Sequence, residues 1–269
     1  MAGPMDFDPE LITAPFRMQP GLRRLAAGAR HLTPLRPGSA LYAEKQAVLA
    51  SGASRLALPG FDAGPALAAI VGQAAAEGLA VGDTPVELAF EEDFAVLDGD
   101  TGTLPWLCVC VPSHWAPEDK LGRDFMAVHA PVADNRVLLS AADHLVKLAT
   151  SGERWERYVW TVTPSARYDQ HPHRHARQPW PATQDAELFA RACFLRAERQ
   201  TFFPVGRGTR QAVFTIRVML APLVQVFDTP ARRQRLQEAL ASMSEAVLAY
   251  KGLAAAREPL LRWLAAEGP

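Results

Sequence analysis

A single histidine, His129, stands just before Ala130-Pro131 at the end of a short stretch with helical spacing. We expect a short helix between Pro117 and Pro131, because proline favours the first turn of a helix and stops its continuation. The residues along its apolar face are Leu121, Phe125 and Val128. His129 lies one position beyond Val128, so its imidazole should lie beside apolar side chains.

A neutral imidazole in an apolar wall fits two roles. It can be a core histidine that is hydrogen-bonded to a backbone carbonyl, and spacing alone favours this role. It can also bind a metal ion or a haem iron, because a proximal haem ligand must be a neutral imidazole. The spacing of His129 does not separate the two.

Charged residues alternate along a second stretch, where Arg196, Glu198 and Gln200 share one face of a predicted strand and Arg199 lies on the other. The simplest interpretation is a solvated sheet face. If that face lines a pocket instead, Glu198 is suited to hold a cationic substrate. The arginines then suited to anionic groups such as propionates or phosphates are Arg157, Arg199 and Arg217.

Three histidines alternate in the run His171-Pro172-His173-Arg174-His175, within a proline-rich segment, residues 164–185. Such spacing invites a metal site, but metal binding needs further ligands in a fixed geometry. The prolines, and the lack of neighbouring acids held in place, favour a solvated, mobile loop.

Hydrophobic periodicity predicts the elements that must position these residues. Helices are expected over 41–49, 63–78, the insertion 120–149, a long amphipathic segment 231–250, and a last segment around Leu260, Leu261 and Leu264. The apolar stripe of the amphipathic segment should lie in the core and consists of Leu236, Leu240, Met243, Val247 and Tyr250. Strands are expected over Val86–Leu97, Trp106–Val111, Arg157–Thr163 and Ala212–Leu220, with Arg199–Phe203 as the hairpin partner of the last. Residues 1–40 are rich in proline and glycine and should wrap the surface in an extended path instead of joining a sheet. Residues 41–269 should form a single domain.

Composition excludes several classes of protein. The chain has 269 residues, of which 49% are hydrophobic, and a formal net charge of −1, so neither nucleic acid nor an anionic membrane is the expected partner. No apolar run reaches 18 residues, and the N-terminus lacks a signal-peptide pattern, which favours the cytoplasm. Cys108 and Cys110 should point to one face of a strand as buried, reduced thiols, which is neither a disulfide framework nor a zinc pair.

Several blocks occur in a fixed order along the chain. They are Glu91-Glu92-Asp93-Phe94, Lys120-Leu121-Gly122-Arg123, Val128-His129-Ala130-Pro131-Val132, Leu195-Arg196-Ala197-Glu198-Arg199-Gln200-Thr201, Phe214-Thr215-Ile216-Arg217 and Ala249-Tyr250-Lys251. In order and spacing they resemble the haem-dependent oxidative N-demethylases, over roughly Phe16 to Leu264. Ordered blocks are far more specific than any one motif.

The resemblance implies an α+β fold of the PAS type, an antiparallel sheet with flanking helices that binds haem b. It also implies a monooxygenase that oxidises a small methylated amine with dioxygen, using electrons from a separate reductase with a flavin and an iron–sulfur cluster. Carried onto this sequence, it makes His129 the proximal haem ligand and Glu198 the catalytic residue that holds the protonated amine. The other residues it implies around the haem are Arg123, Arg157, Trp160, Arg199 and Arg217.

This chain departs from the family pattern at three places. Val159 stands where the family tends to have an asparagine, so a side-chain hydrogen bond is lost there. Phe202-Phe203-Pro204 replaces a basic pair, and Val218-Met219 replaces an aromatic residue. These changes predict a more apolar pocket, suited to a bulkier or less polar amine, or to haem binding without turnover. A haem-based oxygen or redox sensor, a non-catalytic haem protein and a scaffold with a structural His129 remain the alternatives.

Overall fold

The computed structural model describes residues 7–266, in which seven antiparallel strands form one open sheet in the order β1-β5-β6-β7-β3-β4-β2. The strands are β1 (Arg23–Arg24), β2 (Arg55–Ala57), β3 (Glu92–Asp98), β4 (Trp106–Cys108), β5 (Trp155–Thr163), β6 (Phe194–Pro204) and β7 (Gln211–Pro222). The helices are α1 (Ala40–Ala50), α2 (Gly64–Ala76), α3 (Val86–Ala89), α4 (Phe125–His129), α5 (Arg136–Ser140), α6 (Ala142–Ala149), α7 (Ala186–Arg191), α8 (Leu223–Val226), α9 (Pro230–Ala241), α10 (Glu245–Lys251) and α11 (Arg257–Ala265). The predicted α+β class and the antiparallel sheet are therefore confirmed, while the relation to PAS domains stays a prediction.

The two faces of the sheet pack against different parts of the chain. On one face, the largest core cluster packs alternate residues of β5, β6 and β7 against the C-terminal helices, with Leu195, Leu236 and Leu260 fully buried. A second cluster packs α2 against β3, β4 and the β6–β7 hairpin around Phe94 and Trp106. The opposite face is covered by the insertion between β4 and β5, which carries α4, α5 and α6. The helical insertion was correctly predicted.

The central hairpin is the longest part of the sheet. β6 and β7 pair from Phe194 opposite Pro222 to Pro204 opposite Ala212. β5 extends the same face, with Val159 opposite Glu198 and Arg157 opposite Gln200. Side chains alternate between faces along each strand, so this register places one set of polar residues under the insertion.

Three strand predictions are wrong in detail. Val86–Leu97 is not one strand, because Pro85 precedes the short helix α3 and β3 begins only at Glu92. The predicted strand Trp106–Val111 is shorter, because β4 ends at Cys108 and the N–H of Val111 donates to Asp93 Oδ2 at 2.8 Å instead of to a neighbouring strand. Cys108 and Cys110 are both buried but belong to different core clusters, not to one strand face.

The N-terminal segment is not wholly outside the sheet. Arg23 and Arg24 pair with Glu156 and Trp155 and form the edge strand β1, so the prediction of a wrap without strands is wrong at this point. Residues 1–6 of the predicted wrap lie outside the described part of the chain.

The helix expected before His129 is divided in two. A 3-10 turn, Pro117–Asp119, is followed by Gly122 at φ +71°, which interrupts the helix. α4 then begins at Phe125, where the Asp124 side chain accepts the N–H of Ala127 at 2.7 Å.

The long C-terminal helix predicted over 231–250 is also two helices. α9 ends at Ala241, and Ser244 caps α10 by accepting the N–H of Val247 at 3.2 Å. The predicted apolar stripe is buried at Leu236, Leu240, Met243 and Val247, whereas Tyr250 is 46% exposed. The helices predicted over 41–49, 63–78 and at the C-terminus are confirmed as α1, α2 and α11. Among residues 7–266, no helix is long and apolar enough to cross a membrane.

One buried acid should make stability depend on pH. Glu92 is 1% exposed, and burial raises its pKa to about 7, although the N–H of Thr33 donates to it at 2.9 Å and the charge of Arg217 opposes the shift. Because the folded pKa lies above the unfolded one, this contribution to stability is complete below about pH 4 and is lost as pH rises through about 7. We expect the free energy of unfolding to fall by about 2–3 kcal/mol between pH 5 and 8 through this group.

The Glu92→Gln variant tests this, because glutamine does not titrate. Urea unfolding of the parent and the variant across this pH range should give curves that diverge as pH rises, with the parent losing more stability. Parallel curves would contradict an elevated pKa at Glu92.

Candidate functional site

A cavity of about 660 Å³ lies between one sheet face and the insertion that covers it. The sheet wall consists of alternate residues of five strands: Ala95, Leu97, Leu107, Arg157, Val159, Thr161, Arg196, Glu198, Gln200, Phe202, Phe214 and Ile216. The facing wall consists of Phe125, Val128, His129, Pro131, Val132, Leu138, Leu145 and Ala149 of the insertion. Most of the enclosing surface is apolar, with a few polar side chains, which is typical of cofactor and substrate sites.

His129 ends α4 on the helical wall. Its Nδ1 lies 2.7 Å from the carbonyl oxygen of Phe125, and its ring stacks on the Phe125 ring at 4.1 Å between centroids. A carbonyl only accepts, so Nδ1 carries the proton and donates it. Burial lowers the pKa of His129 to about 4, with the charges of Arg157 and Lys120 acting in the same direction. The ring is therefore neutral, and its Nε2 lone pair has no hydrogen-bond partner among residues 7–266.

Glu198 lies across the cavity on β6. Ser113 Oγ donates to its Oε1, and Gln200 Nε2 donates to its Oε2 at 2.8 Å. The side chain is 9% exposed, so the expectation of a solvated sheet face is wrong here, and the pocket interpretation is confirmed for this face. Both donors are neutral, and Glu198 makes no ion pair within the described part of the chain. Its negative charge is thus fixed in place and remains available to a cation.

Arg196 stabilises the hydrogen bond between Ser113 and Glu198. Its Nε donates to Ser113 Oγ at 2.7 Å, and its terminal nitrogens donate to the carbonyls of Val111, Arg167 and Tyr168 at 2.8–3.2 Å. Because Arg196 donates to Ser113, the hydroxyl proton is directed to Glu198. Arg196 therefore fixes the loop after β4 and the direction of the Ser113 hydroxyl together.

Arg157 is the third charged residue on the sheet wall, two positions from Val159 on β5. Its guanidinium makes no hydrogen bond or ion pair within residues 7–266, and its Nε is buried without a partner. Burial lowers the pKa of Arg157 below its usual range, while Glu198 and Tyr250 act in the opposite direction. The side chain is half-buried, and an anionic ligand in the cavity would satisfy its buried Nε.

Tyr250 and Lys251 close one end of the cavity, at the end of α10. Lys251 Nζ donates to the carbonyl of Trp160 at 2.6 Å and lies 5.1 Å from the centroid of the Phe16 ring. Burial lowers the pKa of Lys251 to about 8, against the charge of Glu198. Tyr250 was expected in the core, but the break between α9 and α10 turns it towards this cavity.

Two polar residues of the cavity, Ser113 and His114, had no predicted role. Both follow the buried strand β4 in a loop, where His114 has φ +58°. Burial lowers the pKa of His114 to about 4, together with the charges of Arg177 and Arg196. The available signal was a polar pair directly after an apolar strand, a position where side chains often reach a site.

Three of the arginines predicted to bind the cofactor lie away from the cavity. Arg199 is on the opposite sheet face and pairs with Glu156 at 3.1 Å. Arg217 pairs with Glu91 at 2.7 Å, and Arg123 is exposed on the loop before α4. Trp160 borders the cavity, but its ring is buried in the main core cluster. Their roles towards a cofactor stay predictions, and only Arg157 of the four predicted arginines lines the cavity wall.

The histidine-rich segment is solvated only in part, since His173 and residues 176–179 are exposed but its first histidine is not. Asp169 and His171 are each 2% exposed, and His171 Nε2 lies 3.0 Å from Glu118 Oε2. Asp169 also binds Arg174 at 2.8 Å and His175 at 3.0 Å. The acids that appeared to be missing are Glu118 and Asp169. No group of three or more His, Cys, Asp or Glu side chains in the described chain is arranged to hold a metal ion.

Two of the departures from the family pattern lie at the cavity, whereas Val218 and Met219 belong to core clusters. Val159 and Phe202 are both in the sheet wall of the cavity, and the Phe202 ring stacks on Phe214 at 4.7 Å with an interplanar angle of 9°. These two residues add apolar surface to the sheet wall, and a pocket more apolar than is usual in the family stays a prediction.

Comparison with family models shows which family the chain belongs to. Residues 85–261, more than half of the chain, match the family model described as haem-dependent oxidative N-demethylase, alpha subunit-like. The chain belongs to this family. All the quoted sequence blocks lie within the match, as do His129, Glu198 and Arg157. The N-terminal cavity residues from Met18 to Leu22 lie outside the matched segment.

The cavity has the features that a haem requires. A single neutral imidazole with a free Nε2 suffices as a protein ligand to the iron, so no cluster of metal-binding side chains is needed. Apolar side chains form both broad walls, and cations for acidic substituents line the cavity at Lys120, Arg157, Arg177 and Lys251. The family name and the chemistry of the lining are therefore consistent with each other.

Proposed function

We propose that this chain binds haem through His129 and catalyses the oxidative N-demethylation of a methylated amine, with dioxygen and electrons from a partner reductase. The observation that supports it most is the facing pair in one cavity: a neutral imidazole with an unbonded Nε2, and a buried carboxylate with no cationic partner in the described chain. The first suits a haem iron and the second suits an ammonium group.

The residues around His129 would support its role as a ligand. The hydrogen bond to the Phe125 carbonyl fixes the tautomer and the ring orientation and raises the basicity of Nε2. When bound, the haem would supply the reductive activation of dioxygen, which no side chain of this cavity supplies. Electrons would come from a reductase with a flavin and an iron–sulfur cluster, as expected from the resemblance.

Glu198 would bind the protonated amine and hold its N-methyl group in the cavity. Ser113 and Gln200 keep the carboxylate in one orientation, so little reorganisation is needed when the cation binds. Val159 and Ile216 would keep water away from the amine. Oxidation of the amine by two electrons gives an iminium ion, and its hydrolysis releases formaldehyde and the demethylated amine.

A haem-based sensor is the second candidate, because the same lining would bind haem without turnover. The two differ in their product. The haem-loaded chain, supplied with a chemical or enzymatic reductant, air and a panel of methylated amines, should release formaldehyde in proportion to amine consumed. Haem binding without formaldehyde from any amine would favour the sensor. Failure to bind haem would contradict both.

A further inference from the structure

Two opposite charges face the cavity without neutralising each other. Glu198 receives hydrogen bonds only from Ser113 and Gln200, and Arg157 has no hydrogen bond or ion pair within residues 7–266. They form no ion pair with each other, although both charges act on the pKa of Tyr250. A wall with a separate anion and cation is complementary to a ligand that carries both charges.

The sheet register sets the spacing of the two charges. Val159 lies opposite Glu198 and Arg157 lies opposite Gln200, so Arg157 and Glu198 are diagonal neighbours on the same face. Diagonal neighbours in an antiparallel pair are about 7–8 Å apart at their Cα atoms. Their side chains extend over the same patch of sheet, so the two charged groups of one small molecule can reach both. Val159 lies beside both residues on this face and is apolar.

We propose that the substrate is an N-methylated amino acid, with its ammonium group on Glu198 and its carboxylate on Arg157. This inference rests on the proposed function, because it uses Glu198 as the amine-binding residue. A guanidinium binds a carboxylate through two parallel hydrogen bonds, and it would supply the partner that the buried Nε lacks. A simple alkylamine would leave the buried Nε of Arg157 unpaired.

Haem propionates are the competing anions for Arg157. Arg157 is on the sheet wall with Glu198, whereas Lys120 is on the side of the cavity that carries His129, and Lys251 and Arg177 also line the cavity. Other cations are therefore available to the propionates. Arg196 also lies on the sheet patch around Glu198, but its guanidinium already donates to Ser113 and to three carbonyls. Arg157 is therefore the cation of this patch that is left for a ligand.

Three molecules of the same shape separate the contributions of the two charges. N,N-dimethylglycine carries both, N,N-dimethylisobutylamine has an isopropyl group in place of the carboxylate, and 3-methylbutanoate has a carbon in place of the nitrogen. Isothermal titration of each into the haem-loaded chain measures binding without turnover. N,N-dimethylglycine should bind roughly 10- to 100-fold more tightly than either analogue, the range typical of one charge-assisted contact.

The variant Arg157→Met removes the charge and keeps an unbranched side chain of comparable length. It should lower the affinity for N,N-dimethylglycine to that for N,N-dimethylisobutylamine, and leave the latter within about threefold of the parent. Arg199→Met is the matched control, because Arg199 is on the opposite sheet face, and it should keep the preference for the amino acid.

Three results would overturn the inference. They are equal binding of N,N-dimethylglycine and N,N-dimethylisobutylamine to the parent chain, equal weakening of both by Arg157→Met, or loss of haem in Arg157→Met, which would assign Arg157 to the haem propionates. In all three the parent chain still binds the amine, so the proposed function survives. If the haem-loaded parent binds no amine at all, the proposed function fails as well.

Discussion

We expect the Glu198→Gln variant to bind a methylated amine about 10- to 100-fold more weakly than the parent chain, with an unchanged haem spectrum. Glutamine keeps the size of the side chain and one oxygen for the Ser113 hydroxyl, but it removes the charge that holds the ammonium group. A hydrogen bond to a charged partner contributes about 1.5–3 kcal/mol, which corresponds to this range of affinity. Titration of the haem-loaded proteins with the amine measures the difference.

Glu156→Gln is the matched control for this variant. Glu156 is on β5 but faces the other side of the sheet, where Arg23 and Arg199 each lie 3.1 Å from its oxygens. Its substitution should alter stability and leave amine affinity unchanged. Equal affinity of the parent and Glu198→Gln for the amine would show that the carboxylate does not bind the substrate.

The largest loss of stability is expected at Lys45, which is fully buried in α1. Its Nζ lies 3.1 Å from Asp93 Oδ1 and donates to the carbonyls of Phe90 and Glu92 at 3.1 and 2.7 Å. Burial alone would lower the pKa of Lys45, but the Asp93 carboxylate shifts it upwards, so the pair is charged. Lys45→Met leaves Asp93 without its cation and should lower the free energy of unfolding by about 3–5 kcal/mol.

Urea unfolding at neutral pH measures this loss, and two further variants interpret it. Lys147→Met, on the exposed side of α6, should change stability by less than about 0.5 kcal/mol. Adding Asp93→Asn to Lys45→Met should recover part of the loss, because asparagine removes the buried charge and still accepts the N–H of Val111. A small effect of Lys45→Met, or no recovery in the double variant, would contradict a buried ion pair.

The sequence correctly predicted which face of the sheet each side chain of β6 lies on, but it did not predict what packs against that face. Alternation along β6 correctly grouped Arg196, Glu198 and Gln200 and placed Arg199 on the other side. It did not reveal that the polar face is covered, because that depends on the insertion packing over it. Proximity within one sequence block, as for Glu198 and Arg199, therefore gave two residues a shared role although they lie on opposite faces of the sheet.

Breaks in helices account for other differences. The stripe from Leu236 to Tyr250 has continuous helical spacing, yet Ser244 begins a new helix and turns Tyr250 to the cavity. A residue that caps a helix has a non-helical backbone conformation, and the spacing of apolar residues does not reveal where this occurs. The same holds at Asp124, which starts α4 several residues later than Pro117 suggested.

Cavity residues from loops had the weakest signals. Ser113 and His114 belong to no periodic pattern, and their position depends on Arg196 holding three loop carbonyls. His171 contacts Glu118 across 53 positions of sequence, so no local pattern connects the two residues. The signal for His129 was stronger, because the sequence shows both the apolar helix face beside it and the proline that follows.

The identity of the axial ligand decides the whole account, and the ultraviolet–visible spectrum tests it most directly. The parent chain, His129→Ala and His114→Ala would be purified from haem-supplemented cells and compared at equal protein concentration. Both histidines line the cavity, so His114→Ala is the matched control. We expect an intense Soret band in the parent and in His114→Ala, and its loss or shift in His129→Ala. An unchanged band in His129→Ala, or no Soret band in the parent after haem titration, would contradict the assignment of His129.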